Sequence, residues 1–138
     1  MDATAQKRHL EEARVARLAT VDAGGWPHLV PVVFAVAEDT IYFAVDAKPK
    51  RSTDLKRVRN IASNPAVSLL VDHYEDDWER LWWVRVDGRA RVLDDTAPAL
   101  EALTRKYPQY VASPPPGPFV AISIDRMTGW AAADNPAR

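Results

Sequence analysis

Hydrophobic and polar positions alternate along most of this chain, and helix-like spacing interrupts the alternation in three places. Residues 4–14 (TAQKRHLEEAR) are good helix formers with Leu10 and Ala13 on one side, which predicts a short amphipathic helix. Residues 15–21 (VARLATV) alternate in part and suit a strand. Asp22-Ala23-Gly24-Gly25 then supplies residues that tolerate a tight reversal. Residues 26–37 (WPHLVPVVFAVA) read as one long strand in which Pro27 and Pro31 forbid regular pairing throughout. Glu38-Asp39 turns the chain into a third strand at 40–46, so the first half predicts a meander.

Residues 47–65 break the β pattern. Ser52 or Thr53 can cap a helix on which Leu55, Val58, Ile61 and Ala62 recur at helical spacing, and Asn64-Pro65 ends it. Strand spacing returns at 66–74, a polar loop follows at 75–80, and 81–93 (LWWVRVDGRARVL) alternates around Asp87-Gly88. That pair marks a bulge or tight bend within one strand. A helix is expected from about residues 94–96 to Lys106, with Leu100 and Leu103 facing inward. The stiff Pro114-Pro115-Pro116-Gly117-Pro118 connector leads to a last strand at 119–133. Six strands and three helices predict a mainly β protein with peripheral helices: a small barrel in one domain, 1–138, whose small core makes dimerisation plausible.

Composition narrows the function classes. The chain has 138 residues, 18 basic and 19 acidic, for a formal net charge of −1, which argues against a bulk nucleic-acid binder. The absence of cysteine removes disulfides, thiolate zinc sites and cysteine nucleophiles. No stretch approaches the roughly 20 apolar residues of a membrane helix, and residues 1–21 lack the apolar middle of a signal peptide. A cytoplasmic protein is expected. The five tryptophans are many for such a chain and supply flat surfaces.

The five glycines form neither GxGxxG nor GxxxxGK[ST], the three histidines lack metal spacing, and no GxSxG elbow is present. No metal site and no catalytic nucleophile are expected. The most informative segment is 48–60 (KPKRSTDLKRVRN), with six basic residues against one acid across a loop and the first turns of a helix. Cations beside free N–H groups and the positive end of a helix dipole suit a phosphate or carboxylate, although basic helix faces commonly just meet water. Residues 72–80 (DHYEDDWER) hold five acids in no calcium-loop spacing; consecutive acids in a loop commonly face solvent, and an ion pair across a subunit interface is the other reading. On the following strand Trp82 and Trp83 must point to opposite faces, with Arg85 and Asp87 on the Trp83 side.

The order RLATVDAGGWPHLVPVVFAV, IYFAVD, a basic loop, RNIASNPAVSLLVD and VRVDGRARVL resembles the pyridoxamine 5'-phosphate oxidase-like split β-barrel proteins over roughly residues 13–95. The KPKR loop and DDWERLWWVRVDG are similar to the actinobacterial subgroup that uses the deazaflavin coenzyme F420 in place of FMN. The resemblance implies a six-stranded antiparallel split barrel and a homodimer with cofactors in clefts between subunits. It sets the cofactor ring against Pro31, Val32, Val33 and Phe34. It sets the phosphate near Val45, Lys48, Lys50, Arg51 and Ser52, with Arg57 and Asn60 on the following helix. Trp78, Trp83, Arg85 and Trp130 are the later-strand candidates, contributed by the partner subunit. The charged Arg-x-x-x-x-Lys strand of true pyridoxamine phosphate oxidases is replaced here by PVVFAV and the C-terminal Arg motif is absent, which speaks against vitamin B6 oxidation. Coenzyme F420, with a phosphate and an oligoglutamate tail, fits the six cations better than FMN does. The implied function is hydride transfer to a small conjugated substrate, with FMN chemistry on the same fold or non-catalytic cofactor binding as alternatives. The cofactor carries such chemistry, so a missing catalytic constellation is expected.

Overall fold

The computed structural model describes residues 1–45 and 52–134, with the backbone alone for 52–55. Helix α1 (Ala3–Glu12) starts where the Asp2 carboxylate accepts the N–H of Ala5 at 2.8 Å, and it buries Leu10. Strands β1 (Ala16–Val21) and β2 (Pro27–Val32) form a hairpin. At its turn the Asp22 carboxylate accepts the N–H groups of Gly24 and Trp26, each at 2.9 Å, and Gly25 takes φ +87°, which a side chain would strain.

Residues 26–37 do not form one strand. The chain leaves the ladder at Val33–Phe34, and a separate strand β3 (Ala35–Ala37) pairs only with β4 (Thr40–Ala44). Strand pairing fails there because a side chain replaces it. The Tyr107 hydroxyl accepts the Phe34 N–H at 3.1 Å and lies 2.8 Å from the Phe34 carbonyl, to which it can donate. The expected meander is therefore two hairpins, and the expected six strands are seven.

Strands β5 (Ala66–His73), β6 (Trp82–Val92) and β7 (Phe119–Ala131) complete one antiparallel sheet in the order β2-β1-β5-β6-β7-β4-β3. The edge strands β2 and β3 are consecutive in sequence and joined by two residues, so the end of one and the start of the other lie at most about 11 Å apart. The sheet must therefore curl until its edges meet, giving a barrel split along β2 and β3. As the alternation predicts, β6 runs through Asp87-Gly88 with a register shift. A Cβ on Gly88 would stand 2.3 Å from the Ser123 carbonyl oxygen.

The barrel interior holds Leu18, Phe34, Phe43, Leu69, Val84, Val86 and Ile122. Helix α3 (Ala97–Lys106) buries Ala99 and Leu103 over Ala35, Ala44 and Phe119, followed by the short helix α4 (Gln109–Ala112), which the spacing does not reveal. Helix α2 (Ser52–Ser63) packs against β1 and β6 and delivers the chain into β5 through Asn64-Pro65. Among the described residues no helix is long and apolar enough to cross a membrane.

Candidate functional site

Alternation along β5, β6 and β7 sends one set of side chains into the barrel and the other onto the outer face. Register then lines up Asp72, Trp83 and Trp130 in one outer row and Arg17, Leu70, Arg85 and Thr128 in the next. At the end of the sheet where β5 hands over to β6, these rows border a cleft of about 470 Å³. Trp82, Trp83 and Trp130 supply flat walls, and Leu70, Leu81 and Tyr74 add apolar surface.

The charged groups bordering the cleft have ionic partners, while Arg85 Nε and Thr128 Oγ1 are buried without a hydrogen-bond partner. Asp72 meets Arg17 at 3.9 Å, and Arg85 donates to Asp87 at 3.2 Å. Asp87 also accepts the Ser68 hydroxyl at 2.7 Å. That hydrogen bond, against partial burial and with help from Arg85, holds the Asp87 carboxyl below its usual range. His73 meets Glu75 at 2.5 Å, and Arg80 stands 3.6 Å from the same carboxylate. Trp82 stacks on His9 of α1 with ring centres 3.9 Å apart. Burial, with Arg8 adding and Glu12 opposing, lowers the pKa of His9. The cleft is thus aromatic and charge-compensated, suited to a flat ring. Among the described residues no group of His, Asp and Glu could hold a metal ion.

A second constellation lies at the other end of β5 and β6, where α2 crosses. Asn60 is only 4% exposed and donates to the buried Thr20 hydroxyl at 3.0 Å, pinning α2 to β1. His28 stands opposite Thr20 in the β1–β2 ladder. Its Nδ1 is buried without a hydrogen-bond partner. Burial, then the positive charges of Lys56 and Arg57, lower its pKa. This corner sets Lys56 and Arg57 of α2 near an imidazole whose Nδ1 is buried without a hydrogen-bond partner.

The sequence-based candidates distribute unevenly. Trp83, Arg85 and Trp130 come together in the cleft. Trp78 lies outside its lining, exposed, with its indole N–H 3.4 Å from the Tyr74 hydroxyl. Pro31 and Val33 face outward, whereas Val32 and Phe34 are buried core side chains and do not present surface to a ring. Alternation explains that split. Val45 is buried, its N–H bonded to the Pro118 carbonyl. Arg57 sits half-buried near His28, and Asn60 has the structural bond to Thr20. Ser52 opens α2, its side chain outside the described residues, as are Lys48, Lys50 and Arg51. Sequence reasoning missed Leu70, Asp72, His73, Leu81 and Trp82 as cleft residues, and His28 at the corner. Pairing β5 with β6 antiparallel would have put Leu70 beside Arg85 and Asp72 beside Trp83; nothing local marks His28.

Comparison with known proteins agrees with this architecture. Residues 3–131 match the pyridoxamine 5'-phosphate oxidase family, and the chain belongs to it. Among solved structures it is similar to a FAD-binding protein from Mesorhizobium loti (25% identity, 94% of each chain covered, TM-score 0.69). A conserved hypothetical protein from Mycobacterium tuberculosis shares 21% identity, with 100% of this chain and 91% of that one covered and a TM-score of 0.75. The FAD binding protein from Mycobacterium smegmatis shares 20% identity over 94% of this chain and 95% of that one, with a TM-score of 0.64. No curated protein sequence matches the chain.

Proposed function

We propose that this protein is an oxidoreductase that binds coenzyme F420 between two copies of the chain and transfers a hydride between the deazaflavin and a small conjugated substrate. The observation that carries the reading is the placement of cations and aromatic walls at opposite ends of one sheet. From Val67, near the α2 end, to His73, at the cleft, β5 runs six residues, or about 20 Å. One chain therefore does not bring its cationic corner to its own aromatic cleft. A second copy, related by a two-fold axis across the outer face, would set the corner of each against the cleft of the other. The outer face suits such burial, since it exposes Leu29 at 67% on β2 and carries Leu70, Trp83 and Trp130 on the central strands.

The residues present fit a cofactor with a flat ring and an anionic tail. Lys56 and Arg57 would hold an anion, with Lys48, Lys50, Arg51 and Ser52 assigned to the same task by the family resemblance. Trp83, Trp130 and Leu70 would orient the ring and exclude water. Bound and reduced, the deazaflavin supplies the hydride, so no side-chain nucleophile is needed. Tyr74, Arg85 and His73 border the cleft, where a bound water could equally supply the accompanying proton.

FMN or FAD on the same scaffold is the second reading, supported by the FAD-binding description of the Mesorhizobium and Mycobacterium smegmatis proteins. Binding of F420 and FMN to the purified protein, followed side by side by cofactor fluorescence, separates the two. Tight, salt-sensitive F420 binding that strengthens with tail length, with weak FMN binding, is the expected result. Preference for FMN would transfer the reading to a flavin, and binding of neither would end the enzyme assignment.

A further inference from the structure

His73 faces Trp82 across the β5–β6 ladder, and the two residues line both the aromatic cleft and a second, polar hollow of about 380 Å³. They therefore stand between the place where a flat ring would lie and a basin bordered by Glu75, Glu79 and Arg80. The His9 ring is stacked on Trp82, and the His73 ring lies nearly parallel to the same indole with centres 6.3 Å apart. Glu75 fixes the tautomer of His73. A carboxylate only accepts, so Nε2 carries the hydrogen of their bond, and Nδ1 is the nitrogen left to gain or lose a proton. The charged groups about the ring are Glu75, Glu79 and Arg80 from the loop, with Arg80 3.6 Å from the Glu75 carboxylate. Asp72 on the outer face turns to Arg17, and from α1 the titratable neighbour is His9, on the same indole. Among side chains of the kinds at this cleft, a guanidinium keeps its proton at any working pH and a phenol releases one only in alkaline solution. An imidazole exchanges its proton near neutrality.

We propose that His73, oriented by Glu75, is the residue that exchanges a proton with a ligand bound in the cleft. This rests on the proposed hydride transfer, and it assigns the proton that must accompany the hydride. When a hydride forms the new C–H bond at one end of a conjugated system, the π bond opens and its electron pair moves to the far atom. That atom takes the proton from Nδ1 of the imidazolium, whose charge the Glu75 carboxylate compensates before the transfer. The His73 side chain is 43% exposed, so the imidazole recovers a proton from solvent on the side of the hollow. The two electrons come from the reduced cofactor, and the substrate gains two hydrogens in all. A substrate of this site is then one whose far atom, an oxygen or nitrogen of the conjugated system, lies at the His73 end of the cleft. His73 is the catalytic residue and Glu75 its positioning residue.

The probe 4-nitrophenolate tests this, because it is a flat conjugated ring with a negative oxygen and its colour shows whether that oxygen is protonated. At pH 8 its binding to the purified protein should draw about one proton from solution, measured by calorimetry in buffers of different ionisation enthalpy. The bound dye should stay yellow, which places the proton on the protein. Histidine side-chain NMR of the unaltered protein locates it without a variant: the His73 resonances should move toward the imidazolium position, with those of His9 and His28 unmoved. In His73→Gln the uptake should vanish and the affinity fall at least about fivefold. Glu75→Gln should still bind the dye but show a smaller His73 shift at the same pH, whereas a merely structural Glu75 would leave that shift unchanged. Dye that binds without proton uptake, leaves His73 unmoved or turns colourless overturns the proposal; the proton then comes from a water and the cofactor reading stands. Failure of the dye to bind also overturns it, since the cleft would then refuse a ring with a charged oxygen. Proton uptake at His73 in a protein that binds neither F420 nor FMN would end the enzyme assignment, and with it the place of His73 beside a hydride.

Discussion

Tyr107 shows how one side chain can determine a strand boundary. Its hydroxyl takes the Phe34 N–H and lies within reach of the carbonyls of Phe34 and Arg14, at 2.8 and 3.0 Å, in a position only 6% exposed. Tyr107→Phe should leave the buried Phe34 amide unsatisfied and cost about 2–3 kcal/mol, readable as a lower urea midpoint with unchanged m. Its neighbour Lys106 donates to the Ala13 carbonyl at 2.6 Å and sits 4.0 Å above the Phe34 ring. Burial, with Arg14 adding and Glu11 opposing, lowers its pKa to about 8. The unfolded chain therefore keeps this proton to higher pH than the folded one, and the lysine's destabilising share is relieved as pH rises from 8 toward 10. Urea midpoints from pH 7.5 to 9.5 should improve in the wild type relative to Lys106→Met. A constant difference across that window would show that Lys106 titrates normally. Above pH 10 Tyr107 opposes the trend, because its burial raises the phenol pKa.

Elements in this chain are specified to different degrees. Strong alternation over 66–74 and 81–93 gives β5 and β6 nearly to the residue, and the Asp87-Gly88 break marks a real bulge. Gly88 tests that feature. A methyl group there would press on the Ser123 backbone, which cannot rotate away as a side chain can. Gly88→Ala should cost at least about 2 kcal/mol in thermal or urea unfolding, whereas Gly24→Ala, 3.4 Å from the nearest heavy atom, should be far milder. Residues 26–37 misled for the opposite reason: their apolar run is continuous, and the break at Phe34 depends on a tyrosine 73 positions away. No local pattern carries such information. The same holds for the site. Trp83 and Arg85 are legible because they share a strand face, whereas the link of Leu70 and Asp72 to them depends on strand pairing, and that of His28 to α2 on tertiary packing.

At the scale of the whole molecule, the proposed cofactor site makes a demand on the oligomeric state. In the proposed two-fold dimer the partner would cover the exposed Leu29 and complete the aromatic cleft. Leu29→Glu should shift the protein from dimer to monomer in sedimentation velocity and weaken cofactor binding in proportion. A wild type that sediments as a monomer at all concentrations would rule out the shared cleft, whatever the cofactor.

The two-residue passage from β2 to β3 has a further consequence. An open sheet edge invites strands from other chains, and this fold has two of them facing each other across a seam that the chain itself crosses once, at Val33–Phe34. That crossing acts as a basting stitch. Lengthening it with a flexible insert would let the seam gape and would turn both edges into sticky borders. Such a variant should bind amyloid dyes and precipitate on mild heating well before its interior unfolds, a failure quite unlike that of an equally long insert at the β1–β2 turn.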